Sequence, residues 1–240
     1  MRTVSYNTLL TAFAGTARVG RAALKDTEKE QMTADLNTAA LWLWEQETHT
    51  MALPDMLTGK TVTPSSGLIT AATIEEASFW SVWKSDPRLK QYGPERAALH
   101  LDATGQANGD IKITDTTAST TVYVIYKTVP PQWTVDPASS SQTYDIGDLV
   151  ECSGKVYRSL IAEASAGDVT DTAVWTEVTL PQSLQRIILK KANTERLRLG
   201  NSMPAAAQSE ELELMKALDG AFLAAQPITG QKDWLYNANA

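Results

Sequence analysis

Residues 144–159 read YDIGDLVECSGKVYRS, and a tryptophan lies on either side of this stretch. Tyr144–Val150 and Lys155–Ser159 are rich in β-forming residues, so we predict a short strand over each segment. Ser153–Gly154 separates the two strands as a tight turn. A sheet of this size needs its aromatic residues as core, because it has few other large apolar side chains to bury. The predicted aromatic framework consists of Trp133, Tyr144, Tyr157 and Trp175.

The order of these residues resembles the small chitin-binding type carbohydrate modules. The shared pattern is a Trp, a Y-x-x-G-D-x-V strand, a G-x-x-Y strand and a closing Trp, here between Trp133 and Trp175. Sugar modules of this type place further exposed aromatic residues just after the second strand, whereas this chain has LIAEA at residues 160–164. We therefore expect a module that stabilises the protein or forms an interface, with glycan binding as the alternative.

The charge of the chain is concentrated in the same region. Eight acidic residues and only Lys155 and Arg158 lie between Pro130 and Leu180, which accounts for −6 of the total formal charge of −7. A chain of this charge does not coat nucleic acid through a general basic surface. The single cysteine, Cys152, excludes an intrachain disulfide. No apolar run is long enough to span a bilayer, and Met1–Leu10 does not resemble a signal peptide.

The residues before the middle of the chain predict helices. Ser5 can cap a first helix that runs through Ala14. Thr27 and Glu30 have the spacing of a capping box for a second helix, which continues to about Glu47. Its apolar residues recur at helical spacing at Met32, Leu36, Ala39, Ala40 and Leu43. Other large aromatic residues fall off these stripes or near the C-terminus, and we expect them at interfaces: Trp42, Trp44, Trp234 and Tyr236.

The middle of the chain favours β-structure. We predict strands near Gly67–Thr70, Ile74–Trp83 and Thr121–Lys127. The last of these is apolar on both faces, as expected of a central strand. The polar, Gly- and Asn-containing residues 101–120 predict a loop or a hairpin with its tip near Asn108 and Gly109.

Helical spacing returns after Leu180. We predict a helix with Pro181 in its first turn, ended by Gly200, and a second helix from about Ser202 that stops before Pro227. Their predicted buried residues are Leu184, Ile187, Ile188 and Ala192 in the first helix, and Leu212, Met215, Leu218 and Phe222 in the second.

These segments together predict an α+β fold. N-terminal helices and a C-terminal helical hairpin form a helical body with a β-rich middle, and a small antiparallel β-module is inserted into it. The predicted domains are an adaptor body (1–129 and 180–226), the inserted carbohydrate-module-like domain (130–179) and a C-terminal docking tail (227–240).

A wider stretch resembles structural proteins of the tailed-bacteriophage neck. VYVIYK (122–127), TVPPQW (128–133), the aromatic module and VTLPQSLQRIILKKANTERLRLGN (178–201) follow one another as in the C-terminal half of those head-to-tail connector proteins. The resemblance implies a non-enzymatic adaptor, commonly a dodecameric ring, that binds the portal protein and the next neck or tail protein. It also implies assembly in the host cytoplasm and a final position at the head-tail junction of the virion. A minor tail protein is a further alternative.

A basic concentration follows the module. A ring would repeat these charges around its axis, so they are candidates to face packaged DNA, while solvated charges and salt bridges are the alternative. The residues are Arg186, Lys190, Lys191, Arg196 and Arg198.

Catalytic and metal-binding patterns are missing from the sequence. The two histidines, His49 and His100, form no H-E-x-x-H, and no G-x-S-x-G or phosphate-binding loop is present. Asp145 and Asp148 flank Gly147, where a turn is favoured over a weak calcium site. We therefore predict no enzymatic activity, no catalytic residues, no metal and no cofactor.

Overall fold

A computed structural model describes residues 2–16, 24–45, 56–70, 78–86, 100–106, 110–114, 121–199, 209 and 211–218, apart from the side chains of 78–80 and 198–199. Helices and short antiparallel strands combine in a mixed α+β fold, so the predicted class is confirmed. The long helices are α1 (Tyr6–Thr16), α2 (Asp26–Glu45) and α3 (Gln182–Leu199). Residues 211–218 form a further helical segment. The strands are β1 (Thr3–Val4), β2 (Leu57–Val62), β3 (Leu68–Ile69), β4 (Ser78–Trp83), β5 (His100–Leu101), β6 (Ala103–Gly105), β7 (Ile111–Ile113), β8 (Val122–Lys127), β9 (Thr143–Tyr144), β10 (Leu149–Cys152), β11 (Lys155–Ser159), β12 (Ala164–Ser165), β13 (Trp175–Glu177) and β14 (Leu180–Pro181).

The chain divides into two compact units. The first combines Met1–Gln46 with Pro130–Asp219, and the second takes its described residues from Glu47–Val129. This grouping differs from the one predicted from the sequence, because the β-rich middle separates from the N-terminal helices and residues 130–179 share a unit with all three long helices.

The second unit is built around β8. Its four-stranded antiparallel sheet has the order β2-β8-β4-β5, and a smaller sheet has the order β3-β7-β6. Val122 and Val124 of β8 are buried, together with Ile111 and Ile113 of β7. The predicted central strand is therefore confirmed, whereas β2 was not predicted because Gly59 and the neighbouring prolines indicated a loop. Strands β6 and β7 form the predicted hairpin, and its tip at residues 107–109 lies outside the described residues.

The helices of the first unit bury the predicted apolar stripes. Leu36 and Leu43 of α2 and Leu184 and Ile188 of α3 are buried, and α2 packs against α3. The predicted capping box at Thr27 is wrong. Helix α2 begins at Asp26, and the Lys25 N–H donates to Glu28 Oε2 at 2.9 Å, which is the reciprocal half of a box two residues earlier.

A short clasp joins the start of the chain to α3. Strand β1 pairs with β14, with Thr3 opposite Pro181 and Val4 opposite Leu180. Pro181 is therefore in a strand, and its predicted place in the first helical turn is wrong. Helix α3 begins one residue later, and the Gln182 N–H donates to the Arg2 carbonyl at 3.0 Å.

The β-module contains the three-stranded antiparallel sheet β10-β11-β13 and the pair β9–β12. The predicted turn at Ser153–Gly154 is confirmed, with φ of 54° and 79°. The predicted strand Tyr144–Val150 is wrong in its middle, since Tyr144 belongs to β9 and Leu149 and Val150 belong to β10. Asp145–Asp148 forms a turn, in which the Asp148 N–H donates to the Asp145 carbonyl at 3.1 Å and the Asp145 N–H donates to Asp148 Oδ2 at 2.8 Å.

The helical segment 211–218 buries a different face from the one predicted. Leu214 and Leu218 are buried, whereas Leu212 and Met215 are 59% and 42% exposed. Of the predicted buried residues Leu212, Met215 and Leu218, only Leu218 is therefore correct. Phe222 and the predicted helix ends at 200–204 lie outside the described residues. Glu213 of this segment pairs with Lys190 of α3 at 2.5 Å, as expected if the two elements lie side by side.

Candidate functional site

Two contacts attach the module to the helices of its unit. Asn37 on α2 binds the main chain of Trp133 twice, because its Nδ2 donates to the Trp133 carbonyl and its Oδ1 accepts from the Trp133 N–H, both at 2.8 Å. The Ser153–Gly154 turn covers the start of α1, where the Asn7 N–H donates to the Gly154 carbonyl at 3.0 Å. Neither asparagine was singled out from the sequence, since 96 residues separate Asn37 from Trp133.

Three residues of the predicted aromatic framework come together. Trp175 is 1% exposed, contacts the edge of Tyr144 with ring centroids 5.6 Å apart, and donates from Nε1 to the Ser165 carbonyl at 3.1 Å. Half-buried Tyr157 packs against the same core, which also contains Val150. Trp133 lies outside this core. It is 2% exposed, and its Nε1–H has no hydrogen-bond partner in the described parts of the chain.

A groove of about 870 Å³ runs along the module between Trp133 and Leu149. Its polar groups are already bonded to one another, since the Tyr144 hydroxyl accepts from the Ser139 N–H at 3.0 Å and donates to Gln142 Oε1 at 3.2 Å. The nearly complete burial of Trp133 leaves its ring no face on which a sugar could stack. The groove therefore has the polar lining of a sugar site but not an exposed indole.

The turn at Asp145–Asp148 is held by its own carboxylate. Asp148 Oδ2 accepts the Asp145 N–H, so this oxygen closes the turn, as expected for the turn-forming alternative. Among the residues that the structure describes, no group of three or more His, Cys, Asp or Glu side chains is placed to hold a metal ion.

The far end of the module presents an aliphatic surface, which we call the tip patch. Leu149 lies opposite Arg158 in the β10–β11 ladder. The Ser159 N–H donates to the Asp148 carbonyl at 2.9 Å and the Gly147 N–H donates to the Ser159 carbonyl at 3.0 Å, so the pairing continues into the turn. Three exposed apolar residues are next to these bonded residues in the chain, since Ile146 (65%) precedes Gly147, and Leu160 (40%) and Ile161 (42%) follow Ser159.

Acidic residues surround the tip patch. Asp145 and Asp148 lie in the same turn as Ile146, Glu163 follows Ile161 by two residues, and all three are exposed. The only nearby cation in sequence is Arg158, which is half-buried. Exposed aliphatic residues with a charged rim are typical of protein-binding surfaces. The sequence could have indicated this exposed apolar surface, because the apolar residues of LIAEA (160–164) follow a strand whose outward residues are otherwise polar.

The basic residues of α3 are largely paired within the chain. Lys190 binds Glu213, Lys191 binds Glu195, and Lys191 Nζ also lies 4.8 Å from the ring centre of Trp42. Arg186 is exposed. Arg198 has no described side chain. Arg196 also lies 4.0 Å from Asp35. Three of the five predicted DNA-facing residues, Lys190, Lys191 and Arg196, therefore contact their own unit.

The predicted interface aromatics differ in their positions. Trp42 is half-buried against Lys191, and Trp44 is 6% exposed, so Trp44 belongs to the interior of its unit. This burial corrects the expectation that Trp44 meets a partner. Trp234 and Tyr236 lie outside the described residues.

Asp35 is a buried carboxylate between α2 and α3. Its Oδ1 accepts from Gln31 Nε2 at 3.1 Å, while its Oδ2 and Arg196 Nη1 are buried without hydrogen-bond partners in the described structure. Burial raises the pKa of Asp35, and the Gln31 hydrogen bond and the Arg196 charge oppose that rise. The loose ion pair therefore leaves a buried acid only partly compensated.

His100 has an ordinary structural role. Its ring lies edge-on to Trp83 with centroids 4.9 Å apart, and burial lowers its pKa. His49, the other histidine, lies outside the described residues.

No helix in the described ranges is long and apolar enough to cross a membrane. No protein-family model matches the chain, and no curated protein matches its sequence.

Proposed function

We propose that this chain is a structural, non-enzymatic component of a phage virion neck. In this proposal it forms an oligomeric ring that joins the portal to the tail and surrounds the DNA channel. The resemblance of residues 122–201 to neck proteins motivates the proposal. The observation that carries it is the tip patch, an exposed aliphatic surface on a module in which Tyr144, Tyr157 and Trp175 pack together in the core.

The chemistry of the tip patch favours a protein partner over a sugar. Leu160 and Ile161 occupy the position, just after β11, where the resembling sugar modules have exposed aromatic residues. Branched aliphatic side chains gain free energy by excluding water against another apolar surface. They lack the flat π-face on which a pyranose ring stacks.

Contact with packaged DNA is a smaller part of the proposal. Because Lys190, Lys191 and Arg196 interact with acidic groups of their own unit, Arg186 is the one that stays exposed among the predicted channel residues whose side chains the structure describes. One cation per subunit becomes a belt of charge when a ring repeats it.

Immunogold electron microscopy of purified particles tests the location. Antibodies against residues 130–179 should label the head-tail junction, and preimmune serum on the same particles is the control. Labelling at fibre tips, or none on particles opened at the neck, would contradict the proposal. The purified chain should also cosediment with the portal protein of the same phage.

Glycan binding is the second candidate, and the groove beside Tyr144 is the observation that favours it. Titration with chitin oligomers or host-wall polysaccharide should then give a saturable change in tryptophan fluorescence. The change should disappear in Tyr144→Ala but persist in Ile161→Ala, which lies on the tip patch.

A further inference from the structure

We infer that the tip patch of one copy binds the exposed face of the helical segment 211–218 in a second copy, head to tail. This inference rests on the proposed ring and names the two surfaces that would form its subunit contact. Both surfaces lie in the same compact unit, so each copy carries one of each kind.

The second surface, which we call the helix patch, consists of Leu212 and Met215. They are three residues apart and therefore neighbours on one side of a helix. The buried Leu214 and Leu218 lie on an adjacent side of the helix, so the segment is anchored while Leu212 and Met215 stay exposed.

Cations flank the helix patch. Lys216 is adjacent to Met215, Arg186 lies close enough for its charge to lower the pKa of Glu213, and both side chains are exposed. Lys190 neutralises Glu213 through their ion pair. Glu211 is adjacent to Leu212, so Arg186, Lys190 and Lys216 against Glu211 and Glu213 give the neighbourhood of the helix patch a net formal charge of +1, whereas Asp145, Asp148 and Glu163 against Arg158 give the tip patch −2.

This difference in charge selects the pairing. Two tip patches placed face to face would bring six carboxylates together, from Asp145, Asp148 and Glu163 of each copy, and like charges disfavour that contact. A tip patch against a helix patch places aliphatic side chains together and carboxylates near Arg186 and Lys216, so in this contact Arg186 faces the neighbouring copy and not the DNA channel. Complementary rims of this kind orient partners and suppress the wrong pairing.

The symmetry of the product follows from the pairing. A contact between two different surfaces is heterologous, so each copy can bind one neighbour on each side. Such contacts close into a ring when the rotation per copy divides a full turn, and otherwise extend as a filament. A closed two-fold dimer is not the product expected from this contact alone.

Sedimentation velocity of the full chain measures the contact. The wild-type protein should associate beyond a dimer with increasing concentration. Ile146→Asp/Ile161→Asp removes the tip patch, and Leu212→Asp/Met215→Asp removes the helix patch. Each variant should weaken association at least tenfold, while Val129→Asp, at an exposed apolar residue elsewhere, should leave it unchanged. Circular dichroism and thermal melting confirm that the variants fold.

Mixing the two variants gives the decisive result. The tip variant keeps an intact helix patch and the helix variant keeps an intact tip patch, so an equimolar mixture contains one working contact. It should form a 1:1 heterodimer and nothing larger. A mixture that stays monomeric would overturn the inference, as would a wild-type chain that remains monomeric or variants that associate normally.

Failure of this inference is separable from failure of the proposed function. If gold label appears at the neck but the variants still associate, the two surfaces are wrong and the location stands. If the heterodimer forms but the label is elsewhere, the contact stands and the proposed location is wrong.

Discussion

Gly154 is a residue at which backbone conformation and packing impose the same demand. Its φ is +79°, and a Cβ placed on it would lie 3.1 Å from Asn7 Cβ. Gly154→Ala should therefore lower the free energy of unfolding by about 1–3 kcal/mol, measured by urea denaturation. Gly147→Ala is the matched control, because Gly147 has a φ of +91° and no atom within 4 Å of the added Cβ. A loss at Gly154 no larger than at Gly147 would contradict the role of the α1 contact.

The Asn37 side chain makes the two hydrogen bonds to Trp133 that a neighbouring β-strand would make, because it offers one donor and one acceptor to the same main-chain residue. Asn37→Ala should lower the free energy of unfolding by about 1–3 kcal/mol, because two part-buried peptide groups lose their partners. Asn37→Asp keeps the acceptor but places a carboxylate oxygen against the Trp133 carbonyl, so it should not recover the lost stability. Thr38→Ala, at the exposed neighbour on α2, should change stability little, and an equal loss there would refute the explanation.

Asp35 predicts a pH dependence. Because burial raises its pKa above the ordinary 3.8, the folded chain holds this proton more tightly than the unfolded chain. The resulting stabilisation is complete below the ordinary pKa and is lost as pH rises through the raised pKa. The stability of the wild type relative to Asp35→Asn should therefore fall as the pH rises above about 3.8, measured by urea denaturation.

Asp168 supplies a control of opposite sign. Hydrogen bonds from the Thr170 hydroxyl and N–H lower its pKa, so its contribution is present above the ordinary pKa and is lost on acidification. The stability of the wild type relative to Asp168→Asn should therefore rise with pH. A difference at Asp35 that also rises, or stays flat, would contradict the assignment.

At the scale of elements, the β1–β14 clasp holds the start of the chain against α3. Val4 is buried in this clasp, whereas Thr3 on the same strand is exposed. Val4→Ala should lower the free energy of unfolding by about 1–2 kcal/mol, through lost burial of its methyl groups. Thr3→Ala should have almost no effect on thermal or urea denaturation. Equal effects at both positions would contradict the role of Val4 burial.

Helices and the central strand could be predicted where one periodicity dominates. Leu36 and Leu43 of α2 and Ile188 of α3 occupy faces with no competing apolar pattern, and all are buried. The segment ELELMKAL failed because it supports two faces. Leu212 with Met215 and Leu214 with Leu218 both have helical spacing, and only tertiary packing selects the second pair.

Turns and long-range contacts account for the rest. Asp145–Asp148 contains residues that a strand could also accommodate. The Asp148 carboxylate instead accepts a hydrogen bond from the Asp145 N–H and stabilises a turn. The aromatic pattern predicted the module core except at Trp133. Its position depends on Asn37, which local sequence does not connect to it, and the attachment of the module to α1 through Asn7 is equally non-local.

At the scale of the whole molecule, the uneven charge predicts how association responds to salt. If acidic rims at the tip patch face Arg186 and Lys216 of a neighbour, screening weakens the attraction. Association should become weaker between about 0.05 M and about 0.5 M sodium chloride, as sedimentation velocity can measure. Association that tightens with salt would show that apolar burial alone holds the copies together.

The discontinuous first unit has a consequence for synthesis of the chain. Helices α1 and α2 leave the ribosome first, but the turn that covers the start of α1 lies at Ser153–Gly154. Residues 47–129 are made in between, which takes on the order of ten seconds at about 5–20 residues per second. During that interval the nascent chain exposes the apolar faces around Phe13 and Leu36 without their final neighbours. Slower translation of the middle of the chain should therefore prolong its exposure to chaperones and to premature association.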